Sequence, residues 1–307
     1  MKKRIQNRLA ESRFAFPVMI IYGLAVWLGA GTVAEGAYLQ LVFFVASTLL
    51  MMMLNNTNSL IRIYSRMVSC SFVAMTCAAT FLFSSLESCA TSMCFILFYL
   101  SLLRSYQDKR APGIAFYSFA CLGIASLFFV QILYFVPFLW ILMASNMMAL
   151  THRMFWATVL GLVMPYWFAV GYYVVTNQFD AFIDHFAELA QFEPLLQYEA
   201  LDIHRIATFG LVVLLAVIGI IHYMRNSYLD KIRTRMIFEM FITVDILSFV
   251  FIILQPQHFD NLLPIIIVNT SCLFAHYVAL TRTWLTNVTF IVMCLATLGL
   301  TIFNLMP

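Results

Sequence analysis

Apolar residues in this chain come in long runs rather than at alternating positions. Phe14 to Val33 and Leu39 to Leu54 approach or reach the roughly 20 residues that carry a helix across a hydrocarbon core. A transmembrane barrel would alternate apolar and polar positions instead. The pattern predicts an all-α, polytopic transmembrane helical bundle of about eleven spans, near residues 14 to 33, 37 to 54, 67 to 85, 89 to 103, 113 to 130, 133 to 149, 154 to 176, 206 to 224, 236 to 254, 261 to 280 and 284 to 304. The stretch from Gly113 to Leu150 has 38 residues, about 57 Å as a single helix, which is too long for one crossing. It is expected to fold back near Gln131, with Pro137 opening or kinking the second arm.

No internal repeat, low-complexity tract or long linker divides the chain, so residues 1–307 form one membrane domain. The only sizeable extramembrane segment is 177–204. Within it Phe179, Phe182, Ile183, Phe186 and Leu189 recur at helical spacing, while Asp180, Asp184 and Glu188 recur every four residues on the opposite side. That spacing predicts an amphipathic interfacial helix with an aromatic underside and an acidic top. Glu193 and Pro194 should end it and open a second short helix through Leu201.

Composition supports the membrane reading: 63% of residues are hydrophobic and 10% charged, against about 25% charged in soluble domains. The basic start leads into a run with bulky Phe14, Phe16 and Trp27 and no small-residue cleavage site, which reads as a retained first span. The seven cysteines lie in or beside spans without metal-ligand spacing and serve as small hydrophobes. Cys89 and Cys94 are the one pair near enough to the outer face to be weighed as a disulfide.

Charge orients the bundle. An N-terminus in the cytoplasm places Lys2, Lys3, Arg4, Arg8, Arg13, Arg62, Arg66, Arg104, Lys109, Arg110, Arg153, Arg225, Lys231, Arg233, Arg235 and Arg282 inside, and only Arg205 outside. Lys and Arg resist translocation, so this asymmetry fixes the expected orientation. Arg104 to Arg110 and Arg225 to Arg235 share a side, so an even number of crossings must separate them. Being short and dispersed, the basic loops look like orientation signals rather than a nucleic-acid surface.

Four stretches, ESRFAFPVMIIYGLAVWLGAG, LNNTNSLIRIYSRM, GIASLFFVQILYFVPFLWILM and HRMFWATVLGLVMPYWFAVGYYVV, resemble an uncharacterised family of multi-pass inner-membrane proteins of Bacteroidota-type bacteria. The resemblance covers roughly residues 11 to 176 and lies in hydrophobic pattern and punctuation. It implies a bacterial cytoplasmic (inner) membrane location and brings no reaction, cofactor or catalytic residue.

Three places could carry chemistry. On the acidic outer helix, Asp180, Asp184 and Glu188 are either a solvated face or a ligand set for a divalent cation; no other cofactor is expected. His204 and Arg205 stand at the outer end of span eight, where Arg205 either binds the phosphate of a phospholipid or polyprenyl phosphate or pairs with Glu199 or Asp202. Span nine carries Glu239 and Asp245, which do not share a helix face. Glu239 can pair with Arg235 four residues back, and His276 matches its depth. Asp245 lies about 15 Å along the helix from Arg235, near mid-membrane. Asn269, Thr270 and Ser271 of span ten lie at its depth, so a polar seam between the two spans is expected, with Asp245 hydrogen-bonded.

Three functions fit. The first is an enzyme or accessory acting on a lipid-linked envelope glycan at the outer face, which at the level of architecture resembles polyprenyl-phosphate-dependent membrane glycosyltransferases. Those enzymes place a catalytic acid in a substantial first outer loop, whereas here that loop is about Val33 to Gly36 and offers only Glu35. The second is a proton-coupled transporter working through Asp245, Asn269 and His276. The third is a non-catalytic assembly subunit whose small-residue face, Cys70, Ala74, Cys77 and Ala78, packs against a membrane-protein partner. Phosphate-binding loops, zinc spacings and nucleophile elbows are missing from the sequence.

Overall fold

The computed structural model describes residues 4–32, 35–191 and 201–306. Among them are thirteen α-helices and no strand: α1 (Ile5–Ala10), α2 (Ala15–Gly29), α3 (Tyr38–Asn58), α4 (Met67–Ala78), α5 (Leu86–Leu102), α6 (Pro112–Phe128), α7 (Val136–Ser145), α8 (His152–Val175), α9 (Phe179–Ala187), α10 (Ile203–Asn226), α11 (Ile232–Leu254), α12 (Phe259–Leu280) and α13 (Trp284–Leu305). Seven of them, α3, α5, α8 and α10 to α13, are long and apolar enough to cross a membrane. The predicted segments at α2, α4, α6 and α7 also hold apolar helices, but shorter ones, of 10–17 residues.

Local chemistry sets the helix ends. Ser85, Thr151 and Thr283 accept hydrogen bonds from the Ser88, Met154 and Thr286 amides and so cap α5, α8 and α13. Pro112 starts α6, where a missing N–H costs nothing. Residues 67 to 85, expected to form one span, do not form one helix: α4 stops at Ala78, and the Asn304 side-chain amide of α13 donates to the freed Ala78 carbonyl at 2.6 Å. The stretch from 113 to 150 does fold back. The chain is extended at Phe129, continues through a 3-10 turn over Val130–Phe135, and opens α7 with Pro137 in its first turn. The Gln107 amide then donates to the Met147 carbonyl at 2.9 Å, bringing both ends of the hairpin together.

Helix α12 is the core: every residue of its apolar window is buried. It packs against α10, α4, α11, α5 and α1. Large apolar side chains point outward elsewhere, as at Trp156, Leu160, Trp167 and Phe168 of α8 and Leu285, Val292, Leu295 and Ile302 of α13. Water would not tolerate so much apolar surface, and hydrocarbon does. The chain is a multi-pass helical membrane protein.

Hydrogen bonds between connecting segments define two ends. At one, Gln6 of α1 donates to the Val278 carbonyl (2.7 Å) and Thr281 (2.6 Å), Arg233 donates to Asn58 and the Leu103 carbonyl, and Arg62 lies 3.7 Å from Asp230. This is the arginine-rich end. At the other, Ser88 donates to the Asp260 carbonyl, Thr80 to the Asn304 carbonyl and Gln40 to the Ser84 carbonyl.

Glycine lets α6 and α8 meet backbone to backbone. A Cβ on Gly123 would lie 2.7 Å from the Leu162 carbonyl oxygen, and one on Gly161 would collide with the Phe116 carbonyl. Gly219 plays the same part between α10 and α12, where a Cβ would lie 2.8 Å from the Leu273 carbonyl carbon. Gly161→Ala should therefore destabilise the protein by about 1–3 kcal/mol, the cost of overpacking, seen as a lowered thermal midpoint in detergent. Gly171→Ala on the same helix meets open space and should be neutral or slightly stabilising.

Candidate functional site

The intramembrane seam lies where α11 and α12 run antiparallel. Asp245 is fully buried, and Thr270 donates to its Oδ2 at 3.0 Å. Its Oδ1 is equally buried and has no hydrogen-bond partner. One residue along α12 turns a side chain by about 100°, so Asn269 faces α5 instead, accepting from the Tyr99 hydroxyl at 2.8 Å and donating to the Ile265 carbonyl. Ser271 donates back to the Val268 carbonyl within α12. The seam expected from sequence thus exists, but it rests on Thr270, and Asn269 belongs to a second contact.

The partners of Glu239 and His276 differ from those expected. Glu239 neither pairs with Arg235 nor meets His276: the Asn146 amide, just after α7, donates to it at 2.9 Å. His276 Nε2 instead bonds Asp230 Oδ2 at 2.9 Å, and Arg62 lies beside the other oxygen of that carboxylate. Around the His276 ring stand Phe238 at 5.0 Å, His222 at 5.4 Å and Tyr223 at 5.6 Å. Asp245 and His276 therefore do not share one polar site. Thr270, the partner of Asp245, lies six residues before His276 on α12, about 9 Å by helical rise, and the two polar contacts have separate partners.

At the end opposite the arginines, α4, α10 and α13 converge on Asn304. Its amide donates to the Ala78 carbonyl and Thr208, its carbonyl oxygen accepts from Thr80, and its Oδ1 bonds His204 Nδ1 at 2.9 Å. The His204 ring stacks on Phe303 at 4.5 Å. With Oδ1 as acceptor, Nδ1 carries the proton in the neutral ring and Nε2 is left as an acceptor. The pairing weighed for Arg205 beside phosphate binding is with Glu199 or Asp202. Glu199 lies outside the described residues, as does the second short helix opened by Glu193 and Pro194, and Asp202 caps α10 through the Ile203 amide at 2.7 Å. The partner is Asp260, gripped through both Nε (2.9 Å) and Nη2 (2.8 Å), with the guanidinium over the Phe81 ring at 5.2 Å. Among the described residues Nη1 makes no such bond. His204, Arg205, Asp202, Thr80, Thr32 and Asn304 line a cleft of about 310 Å³.

None of the other residues expected on the outer side lines this cleft. Glu35 is exposed in the turn before α3. Asp180 and Asp184 of α9 and Glu188 just past its end are all exposed, while Phe182 and Phe186 pack on Tyr166 and Tyr173 of α8 and His185 Nε2 bonds the Ser126 carbonyl. Phe179 and Ile183 of the expected underside face outward. Asp180 and Glu188 are about 12 Å apart by helical rise, too far to share an ion, and no group of three metal-ligating side chains occurs among the described residues. All seven cysteines are free thiols, Cys89 and Cys94 included.

The cleft offers a guanidinium N–H, an imidazole, a carboxylate and hydroxyls, a set that suits a polar, hydroxyl-rich head group. The Asp245 seam offers one donor and no cation, and an uncompensated charge there would cost several kcal/mol. Asp245→Asn keeps the shape and the Thr270 bond and should fold with an unchanged thermal midpoint. Asp245→Leu leaves Thr270 unpaired, and the midpoint should fall by the equivalent of about 1–3 kcal/mol. Comparison with known proteins adds nothing to this geometry: no family model, curated protein or solved structure matches the chain.

Proposed function

We propose that this is a bacterial inner-membrane protein that crosses the membrane eleven times and holds the polar head of a lipid-linked envelope glycan in the cleft at its outer face, as an enzyme or an accessory to one. The cleft carries the reading. It lies opposite the arginine-rich end, which the positive-inside rule assigns to the cytoplasm, and its lining mixes a guanidinium edge with hydroxyl-binding groups. Asp260 already neutralises Arg205, so the site favours hydroxyls and a single anionic oxygen over a bare phosphate dianion. Crossing by the short helices α2, α4, α6 and α7 is supported by the closed base of the α6–α7 hairpin and by the separation of the two end networks.

One observation favours a second reading, proton-coupled transport: the buried, unpartnered Oδ1 of Asp245. An acid that titrates during turnover cannot be replaced by an amide. A stable Asp245→Asn variant that complements a deletion fully would end that reading.

Two measurements test the main one. An impermeant maleimide should label a cysteine at Ala190 from outside intact cells, and cysteines at Asn58, Gln107 and Asn226 only after permeabilisation; outside labelling at Asn226 would break the even number of crossings. His204→Ala and Arg205→Ala, each removing one head-group contact worth about 1 kcal/mol, should lower co-purified lipid-linked glycan about five-fold, and Arg205→Lys should restore it only in part because the fork is lost. Unchanged lipid content in both alanine variants would remove the cleft as the binding site.

A further inference from the structure

The small-residue face of α4 divides in two. Cys77 and Ala78 are sealed in the core. Ala74 and Cys70, one and two turns closer to the arginine-rich end, form one wall of an apolar groove of about 400 Å³ between α2, α4 and α13, floored by α12. This volume falls within the range of about 300–1,000 Å³ typical of ligand pockets.

Its depth selects the occupant. The groove opens at Ser12 and Phe14, beside the start of α2, and ends at Tyr22 and Leu298. Lining residues run from 67 to 75 on α4 and from 290 to 298 on α13, about 12 Å in each case by helical rise. The hydrocarbon core is about 30 Å thick, so the groove reaches through one leaflet and stops. A partner helix crossing the membrane would need both leaflets; an acyl chain from the arginine-side leaflet needs one.

Charge at the mouth selects the head group. Arg66 precedes α4 and stands in the i, i+4, i+8 row with Cys70 and Ala74, so it tops the groove wall. Its Nε donates only to the Tyr64 hydroxyl, at 3.3 Å, and its Nη1 is buried without a hydrogen-bond partner. Arg13 lies between the two mouth residues, and Arg8 ends α1 beside them. None of these three arginines is ion-paired among the described residues, and the one acid in these segments is Glu11. We infer that the groove binds one acyl chain of an acidic glycerophospholipid, with its phosphate against Arg66 and Arg13. This site is at the opposite face from the Arg205 cleft and does not depend on the glycan reading.

The test uses the full chain in nanodiscs containing phosphatidylglycerol or phosphatidylcholine, each with a diazirine on one acyl chain, with cross-links mapped by mass spectrometry. Phosphatidylglycerol should label residues 67–75 and 290–298 at least five-fold more than phosphatidylcholine. Arg66→Gln should bring the two lipids to the same level, Ala74→Phe should suppress labelling by both, and Arg205→Ala should change neither. Cys294→Phe fills the groove from its exposed α13 side and replaces Ala74→Phe should that variant fail to fold. Equal labelling by the two lipids in the wild type, absence of labels from the groove, or labelling that survives the filling substitution would each overturn the assignment.

Discussion

A helix enclosed by protein on every side cannot leave its polar groups to water or to lipid, and that constraint on α12 governs the bundle. Asn269, Thr270, Ser271 and His276 are all buried on it, and each must be answered by the backbone or by a neighbouring helix. Tyr99 of α5 answers Asn269, Asp245 of α11 answers Thr270, Asp230 answers His276, and Ser271 turns back on its own helix. Side chains spaced along a helix point to different neighbours, so these bonds fix where α5 and α11 stand around the core as well as stabilising it. Lipid-facing helices such as α8 and α13 carry no such requirement, and beyond the His152–Arg153 start of α8 their outward sides are largely apolar.

The two ends obey different rules. At the arginine-rich end the contacts are long-range and ionic or charge-assisted, with Arg62, Arg233 and Asp230 binding loops together across more than a hundred residues. At the opposite end Asn304, a neutral amide, gathers three helices, and the one basic side chain is held by its own carboxylate. A neutralised arginine beside an imidazole acceptor is an environment for hydroxyls. The unpaired arginines near α2 and α4, by contrast, are an environment for anions.

Length and hydrophobic runs made the helical class, the fold-back between Gly113 and Leu150 and the depth match between Asp245 and Thr270 readable, because these follow from helical rise alone. Pairing was not readable. Arg205 finds Asp260 55 residues later, Glu239 finds Asn146 93 residues earlier, and His276 finds Asp230 on the far side of α11. Sequence neighbours such as Glu239 and Arg235 sit at a workable i, i+4 spacing, but tertiary partners displaced them. Tyr99 and Asn304, hubs in the structure, look in the sequence like ordinary residues of apolar spans. The early end of α4 was hidden for the same reason: it depends on an amide 226 residues away.

The strap formed by α1 has a consequence for how the chain is made. Gln6 bonds Val278 and Thr281, and its backbone amide bonds Asn287, so α1 docks on the end of α12 and the start of α13. At synthesis rates of about 5–20 residues per second, Gln6 waits roughly 14 to 56 s before its partners exist. Until then α1 has no surface to bury, and a chain that stops before α12 can never close it. Docking of α1 thus reports that α12 and the start of α13 are in place, and an undocked α1 marks a molecule in which they are not.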